Sequence, residues 1–162
     1  MQKPVNILSQ GYARTGQSKK NNELGMREMQ ERAFEKRDSQ YLLIKSPPAS
    51  GKSRAMMFLA LDKLINQGVK KVIITVPEMS IGRSFKSTAL SDFGFFADWQ
   101  VADHYNLCLS GAQSDDRKTA IFSDFIMQDV NKSALPQILV CTHHSFRYGF
   151  DKVIDNGGGI EL

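Results

Sequence analysis

Cysteine is scarce. Cys108 and Cys141 are too few for a disulfide framework and too far apart in sequence for a zinc motif. The N-terminal stretch MQKPVNILSQGY holds no apolar run long enough for a signal peptide or a membrane span, and no internal repeat is present. These absences argue against a secreted disulfide scaffold and against a membrane role. They lead to the expectation of a cytoplasmic chain with reduced thiols. What is present is ordinary for one domain with one substantial core: 162 residues, 41% apolar and 23% charged. The net charge of +4 and pI near 9.1 permit a polyanionic partner without demonstrating one.

Residues 1–24 are polar, without sustained periodicity, and read as a flexible lead-in. Residues 25–162 form the expected domain. GMREMQERAFEKRD places Met26, Met29, Ala33 and Phe34 on one helical face. An apolar strand at Tyr41–Ile44 is expected next. A helix from Lys52 to Gln67 should then bury Met56, Leu59, Leu64 and Ile65, with Gly68 as its C-terminal cap. KKVIITVP reads as a buried strand, followed by a short helix around Ile81–Leu90. SDFGFFADWQ suits a packed loop. HYNLCLSG reads as a third strand, Ser114 caps the next helix, PQILVCT is a fourth strand, and HHSFRYGFDKVI starts a helix or turn. Alternating strands and helices imply an α/β fold with a mainly parallel sheet and helices on both faces.

The most specific signal is the order strand, loop, helix around SPPASGKS, the layout of a phosphate-binding loop. Gly51 lets the backbone approach a phosphate, and the N–H groups from Ala49 to Ser53 point at its oxygens. Lys52 supplies a charge for terminal phosphates, and the Ser53 hydroxyl is placed to ligate Mg²⁺. Pro48, Ala49, Ser50, Gly51, Lys52 and Ser53 are therefore the candidate nucleotide-binding loop, with Lys52 as the catalytic candidate. Ser46 stands where the usual pattern has its first glycine.

Further motifs, in order, resemble the first RecA-like domain of superfamily 2 helicases, with DEAD/DEAH-box and type III restriction-enzyme ATPases as the nearest relatives. Arg27 and Gln30 match the Arg-x-x-Gln that such proteins use to read adenine. Pro77 matches motif Ia, where Glu78-Met79 replaces the usual Thr-Arg and Arg83 is the substitute contact. Gly111 matches the glycine motif, and Thr142 with His143 matches motif Ib. The resemblance implies a three-layer RecA-like P-loop domain that uses ATP and Mg²⁺. It also implies nucleic acid as partner, DNA favoured over RNA, at Pro77, Arg83, Gly111, Thr142 and His143. No apolar run ends in the Asp-Glu pair that such an ATPase needs to hold Mg²⁺ and orient water. The expectation is a partial domain that ends before that motif, inactive by itself, whose other partner is the remainder of a parent chain. Two other readings stay open: a stand-alone P-loop protein such as a small kinase, and a degenerate helicase-like scaffold. Cys141, His143 and His144 invite a metal reading, but no four-ligand set stands at zinc spacing, so no metal beyond Mg²⁺ is expected.

Overall fold

The computed structural model describes residues 21–109, 114–129 and 137–155. Two runs rich in β-branched residues form its sheet, β1 (Lys71–Val76) and β2 (Gln137–Thr142). They pair in parallel, with Lys71 opposite Gln137 and Val76 opposite Thr142. Around them lie α1 (Glu28–Phe34), α2 (Lys52–Asn66), α3 (Met79–Gly82), α4 (Asp115–Met127) and α5 (His143–Asp155). Tight 3₁₀ turns occur at Arg83–Phe85, Ser91–Phe93 and Asp103–Tyr105.

Side chains alternate across a strand, and here the alternation divides the core in two. Ile74, Val76, Ile138 and Val140 meet Met57, Phe58, Leu61 and Trp99 on one side. Leu139, Cys141 and the partly buried Ile73 meet Phe122 and Phe125 of α4 and Val153 of α5 on the other. Helices therefore cover both faces of a parallel sheet, the layering expected of an α/β fold. Among the described residues that sheet has two strands.

Four expectations need correction. Tyr41–Ile44 is not a strand: the segment is irregular, with Tyr41 86% and Leu43 92% exposed. A strand exists by pairing, and no described segment pairs with the edge of β1 away from β2. The third strand contracts to one bridge, Asn106 with Val140, where the Leu107 N–H donates to the Val140 carbonyl at 2.8 Å. Asn106 explains the contraction. Its Oδ1 accepts from the Cys108 N–H (3.1 Å) and its amide donates to the Gly82 carbonyl (3.3 Å), so a local side-chain turn competes with the ladder.

The helix at Ile81–Leu90 is also shorter than expected. α3 passes into a 3₁₀ turn and then ends, because Thr88 leaves to bond Trp99 in both directions (2.8 and 3.1 Å). The following aromatic segment is the packed loop expected, with Trp99 fully buried and its Nε1 donating to the Phe85 carbonyl at 2.9 Å. Finally, α2 turns a different face inward. Ala55, Met57, Phe58, Ala60, Leu61 and Asp62 are buried, whereas Met56, Leu59 and Leu64 are half-buried and Ile65 is exposed. Asp62 tolerates burial because the Asn66 and Gln67 amides each donate to it at 2.7 Å and Arg37 Nε lies 3.7 Å away. Beyond α2, Gly68 adopts φ +75° as the expected cap.

The α4–α5 contact depends on one small residue. A Cβ on Gly149 would lie 2.7 Å from the Phe122 ring, and Phe122 is fully buried. Gly149→Ala gains about 1 kcal/mol of helix propensity but overpacks the interface at a cost of about 1–3 kcal/mol. The expected net is a loss of about 1 kcal/mol, read as a lower urea midpoint. A higher midpoint would show that Phe122 yields without strain.

Candidate functional site

Four turns converge at the C-terminal ends of the two strands. β1 ends at Val76 beside Thr142 of β2, so exposed Pro77 and the start of α5 are neighbours. α3 and its 3₁₀ turn follow Pro77 directly. Ser84 in that turn donates to the Ser53 hydroxyl at 3.3 Å and so brings the 46–53 loop to the same end. Open α/β sheets bind ligands at this end.

The 46–53 loop is built around its lysine. Lys52 Nζ donates to the Ser46 and Pro47 carbonyls at 2.9 and 2.7 Å, which folds the ammonium into the loop's concavity. The Ser46 and Ser50 hydroxyls lie 2.8 Å apart and brace its two limbs. Serine at the first-glycine position therefore acts as a strut. Ala49 takes φ +60° and Gly51 φ +92°, and a left-handed conformation costs a non-glycine residue about 1–2 kcal/mol. Strain of this kind gathers at ligand clamps. Gly51 is the N-cap of α2, and no side chain caps this end of the helix. The first N–H groups of a 15-residue helix are thus left for an anion, with the helix dipole in support.

Arg27 and Gln30 reach the loop from the N-terminal end of α1. Gln30 is 2% exposed. Its Oε1 accepts from the Arg27 N–H (2.8 Å), the returning half of a capping box, and its Nε2 donates to the Gly51 carbonyl (3.0 Å). It is a brace between the α1 N-terminus and the loop. Arg27 is exposed at the rim. Together with Asn21, Gly25, Ala49, Gly51 and Arg54 they line a cleft of ≈ 340 Å³, within the size range of small-ligand sites. Sequence reading missed Arg54. It stacks on Phe93 at 5.0 Å, and the signal was present: one residue after Ser53, on the first turn of α2.

The outer loops behave unequally. Arg83 Nε donates to the Cys108 carbonyl at 3.3 Å while the side chain stays exposed. Thr142 Oγ1 accepts from the Ser145 N–H (3.1 Å) and donates to the Ser145 hydroxyl (3.0 Å), so it caps α5. His143 is exposed beside it. Gly111 lies outside the described residues.

Cys141 turns into the core while His143 and His144 face outward, so the three do not form one ligand set. Burial pushes both thiols up, Cys141 to about 12 with the nearby Cys108 as a second cause. A solvated thiol ionises near about pH 8.5. Above that pH the unfolded chain releases protons that the folded chain keeps. The thiols' contribution to stability is therefore full below about pH 8.5 and is lost as pH rises toward 12. Urea midpoints should fall between about pH 8 and pH 10, and fall less in Cys141→Ala. Equal falls in both proteins would contradict the assignment.

No family model and no solved structure matches the chain. It is 55% identical over 150 residues to a Bacillus subtilis (strain 168) protein named "Putative ATP-dependent helicase YeeB". The match covers 93% of this chain and 24% of that protein. The chain therefore spans about a quarter of the relative's length.

Proposed function

We propose that the chain is the ATP-binding portion of a nucleic-acid-dependent ATPase of the helicase type, with a RecA-like arrangement. The observation that carries the reading is the loop of residues 46–53. A lysine ammonium held in its concavity and an α2 N-terminus without a side-chain cap fit a polyphosphate better than any neutral ligand. The relative's printed name points the same way.

In this reading Lys52 and the backbone N–H groups up to Ser53 hold the phosphates, and the Ser53 hydroxyl faces Mg²⁺. Arg27 and the cleft beside Gln30 take the adenine. Gln30 contributes chiefly by fixing the Gly51 carbonyl. ATP supplies the free energy of phosphoryl transfer, and hydrolysis is assigned to the longer protein. The loops after Pro77 and at Thr142–His143, with Arg83, face a nucleic-acid strand, with DNA favoured over RNA.

Nucleic-acid binding separates this reading from a stand-alone P-loop protein. Single-stranded DNA titrated by fluorescence anisotropy should bind weakly, and binding should weaken as salt rises because phosphate contacts release counterions. Arg83→Ala should reduce the salt slope by about 1 if the guanidinium meets a phosphate. Retained Mg·ATP binding with no DNA binding at low salt would favour the stand-alone alternative.

A further inference from the structure

α5 carries an outward surface that the loop contacts above do not use. His144 and Tyr148 stand one turn apart, both exposed, with ring planes within 8° of parallel and centroids 6.4 Å apart. Their i,i+4 spacing sets the two rings side by side on one helix face, and both remain exposed. Arg147 and Asp151 complete an open cleft of ≈ 260 Å³ with these rings. Among the described residues neither the Arg147 nor the Asp151 side chain makes a hydrogen bond or ion pair. Lys152 lies 5.7 Å from the Tyr148 ring centroid. The cleft thus offers aromatic faces, an uncommitted cation and an uncommitted carboxylate acceptor.

We propose that His144, Tyr148, Arg147 and Asp151 form a site for one unpaired nucleobase of a single strand. The rings supply stacking, which any base accepts because every base has a π-face. Arg147 supplies charge toward the adjoining phosphate. Asp151 accepts from an exocyclic amine, as acidic side chains do with cytosine N4. The position suits a strand already passing the C-terminal ends of β1 and β2, since α5 begins there at His143. The proposal rests on the nucleic-acid reading given above and adds a base contact to its backbone contacts.

The test compares a labelled oligodeoxycytidylate, whose bases carry the N4 amine, with an abasic strand of equal length by anisotropy. The unaltered chain should bind the base-bearing strand about tenfold more tightly, the scale of one base–aromatic stack. Tyr148→Ala should abolish that preference while leaving abasic binding unchanged, and Tyr148→Phe should restore it. Arg147→Gln should weaken both strands and lower the salt slope by about 1. Tyr148 and Arg147 are exposed, so unchanged melting temperatures serve as the folding control. Equal binding of the two strands by the unaltered chain overturns the base site and leaves the backbone contacts standing. Binding of neither strand at low salt overturns the nucleic-acid reading itself, and the base site with it.

Discussion

Lys52→Ala is expected to reduce Mg·ATP affinity by at least about tenfold, because one charge-assisted contact to phosphate is worth roughly that much. Lys52 Nζ bonds the Ser46 and Pro47 carbonyls across the loop, which keeps its charge beside the α2 N-terminus where the phosphates would sit. The alanine variant loses that charge, and no other group in the loop replaces it. The lysine sits at the start of α2 and is only half-buried, so global stability should change little. Calorimetric titration of both proteins checks the expectation, with thermal melts confirming that the variant is folded. Equal affinities would mean that the loop is a turn with a solvated lysine.

Gly51→Ala should have the largest effect on stability and binding together. At φ +92° an alanine pays the left-handed penalty, about 1–2 kcal/mol. Its Cβ would also lie 2.5 Å from Gln30 Nε2, the group that donates to the Gly51 carbonyl. Displacing a 2%-exposed amide from its acceptor adds about 1 kcal/mol. A total loss of about 2–3 kcal/mol is a large share of the stability of an ordinary domain. The urea midpoint should fall with an unchanged slope, and nucleotide binding should fall with it. A midpoint within error of the unaltered chain would show that the Gln30 brace carries no energy.

The elements legible in the sequence were those whose partners are supplied by strong local signals. The KVIITV and QILVCT runs became β1 and β2, β2 buried as read and β1 with only Ile74 and Val76 fully buried. Ser114 caps α4, accepting from the Arg117 N–H, and the Gly51-Lys52-Ser53 turn opens α2. What escaped depends on tertiary partners. The Tyr41–Ile44 run has strand composition, yet strand formation is decided by a neighbour that no local pattern reveals. Apolar residues run unbroken from Ala55 to Leu61, so periodicity alone could not choose the inward face of α2. The choice follows from Phe58 packing on Phe95 at 4.6 Å and from the amides around Asp62.

In the site itself, residue types were readable but their division of labour was not. A glutamine three residues after Arg27 fits an adenine reader and fits a capping brace equally well in sequence. In the structure it bonds the Arg27 N–H and the Gly51 carbonyl, the contacts of a brace. Thr142 is similar: the strand-end threonine matched a phosphate donor, and its hydroxyl is engaged at the start of α5. A threonine so placed serves stability whatever else it touches.

The central claim, that residues 46–53 cradle a nucleotide polyphosphate, is tested most directly by a crystal structure of the chain with a non-hydrolysable Mg·ATP analogue. The expected result is a triphosphate at the α2 N-terminus, within hydrogen-bond reach of the backbone from Ser50 to Ser53. Lys52 Nζ should have moved from the Ser46 and Pro47 carbonyls onto phosphate oxygens. A nucleotide bound elsewhere, or a Lys52 still bonded to both carbonyls with the triphosphate out of reach, would contradict the account.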